Sequence, residues 1–377
     1  MFYSKYNNLS FVITFIISLS LIVFYFREPG NMVNFYYINY ENEFIRRGLI
    51  GHLFLLLGSN EVILKLFFIC SVIFLNYLIC SQELIKINNI DELMKDILLK
   101  IFFISTPAVT FYYYHSFTLD IYLFISGLIL TLIIIKYDIW ITSFLLFFIS
   151  IVSILIHEIF ASYYFLLLLA IFIHKFREQK NIIFLSIFIL IIFILFFYFI
   201  IFKLGYLDDF NVDLIRNSLP KDDEDMINFM NSSLTRDIQV FFNFNQIVGI
   251  IINSLCTLPA LFLFYLITKS LFRKEYIEKK YIYLILFFCF APIGNIFVAT
   301  DHGRFIFVII NNFTLVSIYF FKIKRFTSHL LSPNICLIIF LVIILNLLIG
   351  PSNLMKAPEF YYKVLEFRDF FLVSGNI

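Results

Sequence analysis

Long apolar runs separated by short polar links make up most of the chain. They fall at 9–26, 61–80, 97–112, 119–135, 139–155, 157–173, 181–203, 247–268, 281–299, 305–321 and 332–350. Runs of about 17–25 apolar residues are long enough to cross a hydrocarbon layer about 30 Å thick as helices, which satisfy every backbone group internally. The two-residue alternation of a membrane β-barrel is absent from the sequence. The expected fold is therefore all-α: a polytopic integral membrane protein with about eleven transmembrane helices in a single transmembrane domain over 1–377. The first run has no small-residue cleavage site after it and reads as a retained span. Gly48 to Leu57 is too short to cross and is expected as an interfacial or re-entrant half-helix. The apolar stretch from Ile139 to Ile173 is split at His157-Glu158, because one long helix would reverse the side of every earlier link.

Basic residues then orient the spans. The links 84–100 (Lys86, Lys95, Lys100), 174–180 (Lys175, Arg177, Lys180), 269–280 (Lys269, Arg273, Lys274, Lys279, Lys280) and 322–329 (Lys322, Lys324, Arg325) fall on one side. That side is expected to be cytoplasmic, with the N-terminus inside and the C-terminus outside. The acidic loop 204–246 (Asp208, Asp209, Asp213, Asp222, Asp223, Glu224, Asp225) is the only hydrophilic segment large enough to form an external cap.

Composition agrees with this picture and narrows the chemistry. The chain is 62% hydrophobic, with a mean hydropathy of +0.94. A net charge of +2 excludes a nucleic-acid-binding surface as the main business of the chain. Heavy use of Phe, Tyr, Ile, Asn and Lys reads as an AT-rich genome, so aromatic abundance says little about a sugar platform. Cys70, Cys80, Cys256, Cys289 and Cys336 form no CxxC pair, so neither a disulfide framework nor a zinc site is indicated. The six histidines, His52, His115, His157, His174, His302 and His329, are scattered without HxxxH spacing. No metal and no cofactor are expected.

Five polar clusters converge on the external face of this topology: Glu41/Glu43/Arg46/Arg47, His115/Asp120, His157/Glu158, Arg216 with Arg236, and Asp301/His302/Arg304. An ionisable group at membrane depth costs about 2.5–3.5 kcal/mol even on lenient insertion scales, which makes each a functional candidate. A structural alternative accompanies every cluster. Arg46 and Arg47 are either snorkelling anchors or a clamp whose guanidinium forks grip a diphosphate, with Gly48 allowing close backbone approach. Glu41 and Glu43 either pair with nearby arginines or supply a general base that takes a proton from a hydroxyl. His157 and Glu158 both reach a cavity only at a helix end or turn, since neighbours on a helix point about 100° apart. Asp301 and Arg304, three residues apart, either pair locally with Asp301 as a helix N-terminal residue, or serve a phosphate or sugar with Asp301 orienting Arg304. His115 and Asp120 read most simply as loop residues between two spans.

The span count, the single enlarged external loop, and the motifs Arg46-Arg47-Gly48-Leu49-Ile50-Gly51, His157-Glu158 and Asp301-His302-Gly303-Arg304 together resemble the bacterial O-antigen and capsular polysaccharide polymerases. More broadly, the chain resembles the multispanning glycosyltransferases that use polyprenyl-linked donors. The ExE at 41–43 departs from the Asp-rich first loop of many such enzymes. The resemblance implies transfer or polymerisation of undecaprenyl-diphosphate-linked oligosaccharide at the outer face of the bacterial cytoplasmic membrane. Arg46, Arg47 and Arg304 would hold diphosphate, Glu158 or Glu43 would act as base with His157 assisting, and Asp301 and His302 would contact substrate. It also implies membrane lipid and a chain-length regulator as partners. A transporter or flippase of a lipid-linked or polar solute is the rival reading; it favours ionisable groups near the membrane midplane and interrupted helices in paired halves. An acyltransferase would need a lone buried catalytic histidine, for which only His157 qualifies.

Overall fold

The computed structural model describes residues 2–26, 48–57, 61–114, 118–179, 181–198, 244–272, 279–296, 302–324 and 331–350. Among the described residues all regular structure is helical. In chain order the helices are α1 (Phe2–Tyr25), α2 (Gly48–Leu56), α3 (Glu61–Cys80), α4 (Ile90–Ser105), α5 (Pro107–Tyr114), α6 (Asp120–Lys136) and α7 (Ile139–Ile156). They continue with a π-helical turn (Ala161–Phe165) leading into α8 (Leu166–Lys175), then α9 (Ile182–Tyr198), α10 (Phe244–Phe272), α11 (Lys279–Cys289), α12 (Ile293–Ile296), α13 (His302–Lys324) and α14 (Pro333–Ile349).

Each expected apolar segment coincides with one or more of these helices. Among the described residues five helices are long and apolar enough to cross a membrane by themselves, or six if α4 and α5 count as one bent span, which does not reach the eleven expected. These support a membrane-embedded helical protein. α2 forms where a half-helix was expected, spans about 13 Å by helical rise, and packs against α7 through an element-to-element contact.

Local chemistry explains where the helices start and stop. Asp138 caps α7, its carboxylate accepting from the Trp140 and Ile141 amides at 2.9 and 3.2 Å. Ser332 caps α14 ahead of Pro333, and Gly350 closes that helix at φ 72°, a left-handed conformation glycine adopts without steric cost. Two expected spans need correction. The segment 97–112 belongs to a longer element that starts at Ile90 and bends by 53° between α4 and α5. Asn89 accepts from the Glu92 amide at 2.8 Å while Glu92 accepts from the Asn88 amide at 2.7 Å, a reciprocal cap that starts the helix seven residues earlier than hydrophobicity indicates. Pro107 then removes a donor and pushes Thr106 to an extended ψ of 146°, which makes the bend. Likewise 281–299 is not one helix: α11 ends at Cys289, and the turn at 290–292, which contains Pro292, separates it from the short α12.

α13 is the central helix. Over its most apolar 18 residues 89% are buried inside the bundle, against 28% to 44% for the other four candidate spans. It packs on α5, α6, α8, α10 and α11. α6 comes close because Gly127 faces it: a Cβ there would lie 3.1 Å from Leu315 Cδ1 and 3.4 Å from Tyr164 Cδ1. α9 is peripheral, with Phe184, Phe188, Ile191 and Leu195 exposed in the manner of a lipid-facing helix.

One end of the bundle is fastened by a buried ion pair that the sequence pattern had placed in an open basic link. Lys100 Nζ lies 2.7 Å from Asp96 Oδ2, and the two side chains are 3% and 0% exposed. Ser10 of α1 donates to the same oxygen at 2.6 Å, while Oδ1 accepts from the Leu84 and Ile85 amides at 3.0 and 3.1 Å. Asp96 thus holds α1, α4 and the 81–89 link together. Beside it, burial raises the Glu83 carboxyl above its ordinary range, opposed by the charge of Lys322. Breaking a buried pair by removing one partner costs about 3–5 kcal/mol, whereas replacing both with apolar groups is often close to neutral. Asp96→Leu is therefore expected to lower the thermal midpoint of the detergent-purified protein sharply, and Asp96→Leu with Lys100→Leu to recover most of the loss; equal midpoints for all three proteins would show that the pair carries no stability.

Candidate functional site

Three ionisable stretches far apart in sequence meet at the opposite end of the bundle. α7 stops at Ile156, and His157 follows in extended conformation (φ −162°, ψ 122°), so the chain turns at His157-Glu158 instead of running on as one helix. α8 resumes through the π-helical turn Ala161–Phe165, a feature frequent at functional sites because it re-aims side chains within a helix. Asp120 opens α6, and Arg304 lies in the first turn of α13.

The guanidinium of Arg304 forks onto the Asp120 carboxylate, Nε donating to Oδ2 and Nη2 to Oδ1. This is the two-bond geometry in which arginine and carboxylate bind best. Nη2 also lies 3.0 Å from His157 Nε2. On the far side of the imidazole, Nδ1 lies 3.2 Å from Glu158 Oε2. The result is a chain Asp120–Arg304–His157–Glu158 whose inner members are buried: Asp120 is 2% and His157 4% exposed, against 13% for Arg304 and 16% for Glu158. Within this chain of described residues one guanidinium faces two carboxylates.

A second polar layer lies directly below. Asn311 sits seven residues, two turns, after Arg304 on α13. Its Nδ2 donates to Tyr112 Oη at 2.9 Å and to Tyr164 Oη at 3.3 Å, while its Oδ1 is buried with no partner. Asn312 donates to the Tyr163 carbonyl at 3.0 Å and the Cys289 carbonyl at 3.2 Å. The first of these carbonyls lies in the π-helical turn and the second ends α11, where helix carbonyls lack intrahelical partners. Asn312 therefore ties the turn after Glu158 to the central helix.

Of the expected site residues, His157, Glu158 and Arg304 come together here, and His302 begins α13 two residues before Arg304. Glu41, Glu43, Arg46, Arg47, His115, Arg216, Arg236, Asp301 and 204–243 of the expected 204–246 cap lie outside the described residues, while its last three residues begin α10. Asp120 proves to be the partner of Arg304 rather than a simple loop residue. Tyr112, Tyr164 and Asn311 were missed; the signal available was the polar pair Asn311-Asn312 in the middle of an apolar span. Among the described residues, no group of three or more His, Cys, Asp or Glu is placed to hold a metal ion.

The other end holds residues of three of the four expected basic links. His174 Nδ1 lies 2.7 Å from Tyr319 Oη, Arg177 donates to the His174 carbonyl at 3.0 Å, and Lys322 lies within electrostatic range of Glu83 and Asp96. Along α13, Arg304 and Lys322 are roughly 27 Å apart by helical rise. In reconstituted vesicles a cysteine at position 158 is expected to react with an impermeant maleimide from one side, and cysteines at 88 and 178 from the other; labelling of all three from one side would break this arrangement. Comparisons with protein-family models, with curated proteins and with solved structures found no match to the chain.

Proposed function

We propose that the protein transfers or polymerises sugar units carried on a polyprenyl diphosphate, at the external face of a bacterial cytoplasmic membrane. The observation that carries this reading is the convergence of Asp120, His157-Glu158 and Arg304 at one end of a largely apolar bundle. Charges are costly in such surroundings and are retained where they serve a site. Glycosyl transfer from a lipid diphosphate needs a base for the acceptor hydroxyl and cations for the leaving group. Glu158, the most exposed member of the cluster, is suited to the first task, with His157 beside it. Arg46 and Arg47, assigned from sequence, would serve the second; Glu43, Asp301 and His302 remain secondary candidates. The 204–246 loop would exclude water over the reaction, and a chain-length regulator is an implied partner.

The transporter or flippase reading draws support from one feature, the bent α4–α5 pair beside the buried Tyr112–Tyr164–Asn311 layer, since interrupted helices flank solute sites in transporters. One experiment separates the two. In the host, Glu158→Gln is expected to lower glycan polymer about 10²-fold or more, the usual contribution of a positioned base, and Arg47→Ala to abolish it. Both variants should accumulate unpolymerised lipid-linked units on the outer leaflet at unchanged protein level. Wild-type polymer in both variants would sink the transferase reading, and units trapped on the inner leaflet would favour the flippase.

A further inference from the structure

We infer that Asn312 of α13 is a positioning residue: its side-chain amide holds the π-helical turn Ala161–Phe165 in register and thereby keeps His157 and Glu158 against Arg304. The grip itself stands on geometry. Its consequence for catalysis rests on the transferase reading above.

α13 meets the 157–165 stretch at three points. Arg304 Nη2 lies 3.0 Å from His157 Nε2, Asn311 Nδ2 donates to Tyr164 Oη at 3.3 Å, and Asn312 Nδ2 donates to the Tyr163 carbonyl at 3.0 Å. The first two hold side chains, which turn about their own bonds. The third holds the backbone, at the middle residue of the π-helical turn. The orientation of the Asn312 amide is fixed as well, because its nitrogen faces two carbonyls, those of Tyr163 and Cys289, and only an NH2 group donates to both. The second bond reaches the end of α11, so one amide joins the turn to two helices.

Register matters here because a π-helical turn holds one residue more than an α-helical turn. Relaxation to α-helical geometry would rotate everything ahead of the turn by about 100° relative to α8 and shift it by about 1.5 Å along the axis. Glu158 lies three residues ahead of Ala161 and His157 four, and both would be carried away from Arg304. A backbone hydrogen bond from the helix that also carries Arg304, eight residues earlier, opposes that movement.

Asn312 is 0% exposed, and its Oδ1 has no partner. A buried amide with an unpaired oxygen is a cost that an apolar side chain of the same size would not carry. Asn76 shows the ordinary arrangement: its Oδ1 accepts from Tyr113 Oη at 2.6 Å and its Nδ2 donates to the Val72 carbonyl of its own helix at 2.8 Å. Asn312 differs in leaving one end unpaired while the other joins the backbones of separate elements.

The test is solid-state NMR of the protein in lipid bilayers, reading the through-space contact between arginine guanidinium ¹⁵N and the His157 ring. His157 is the only histidine followed by glutamate, so ¹³C-labelled histidine combined with ¹⁵N glutamate assigns it without mutation. The wild-type protein is expected to show the contact, and its absence would overturn the inference at once. Asn312→Leu, which keeps the bulk and removes both donors, is expected to lose the contact while the protein stays monodisperse. Full contact in that variant would overturn the lock, and full contact with a lowered thermal midpoint would show that Asn312 serves stability alone. Should Asn312→Leu not fold, Asn312→Gln, which displaces the amide by one methylene, is expected to weaken the contact, with wild-type intensity counting against the lock. With lipid-linked oligosaccharide extracted from host membranes, the variant that loses the contact should lower kcat about 10²-fold at near-constant donor KM. Wild-type kcat in that variant would remove the catalytic role of the turn and leave the register lock standing.

Discussion

The bidentate pair between Arg304 and Asp120 is the constraint on which this end of the molecule depends. α13 is enclosed by protein over most of its length, and Arg304 in its first turn is only 13% exposed, so most of what compensates its charge must come from protein. An arginine there also faces the positive end of its own helix dipole, an unfavourable position that a carboxylate must offset. Asp120 supplies that carboxylate from the start of α6. Because the guanidinium has donors left over, the same pairing reaches His157 and, through it, Glu158. Gly127 assists from below by letting α6 approach the central helix and Tyr164 closely.

The two ends of the bundle use buried charge differently. Around Asp96 every carboxylate oxygen is engaged, by a lysine, a serine and two backbone amides. Such a group has little capacity left for a ligand, and its effect is to fasten a link to two helices. At the Arg304 end the chain of contacts runs from a fully buried carboxylate outward to a partly exposed one. That gradient in exposure, rather than the number of charges, separates a structural clamp from a site. Asn311, with its oxygen unpartnered beneath the cluster, is a further polar group the apolar core tolerates only at a cost.

Much of this was legible in the sequence, for identifiable reasons. Helix positions follow from apolar runs, and the break at His157-Glu158 follows from the length of the apolar stretch and the side on which the earlier links must then fall. The boundaries at Ile90 and Cys289 were not legible from hydrophobicity, because they are set by the Asn89/Glu92 cap and by the turn containing Pro292. Partner choice was the least accessible. Asp301 lies three residues from Arg304 and is its obvious neighbour on a helix, yet Arg304 reaches Asp120, 184 residues away in sequence. Only the packing of α6 on α13 brings that pair together. Lys100 was misplaced for the same reason: the i,i+4 spacing from Asp96 was visible, but the burial that makes it matter was not.

The central claim is that Asp120 and Arg304 face each other as a pair inside the bundle, and charge reversal tests it most directly. Asp120→Arg alone and Arg304→Asp alone each bury two like charges together, and both are expected to reduce the yield of folded, monodisperse protein in detergent severely. The double reversal restores an opposite pair in the same place. The account predicts that it recovers most of the folded yield. A double variant no better folded than the worse single one would contradict it.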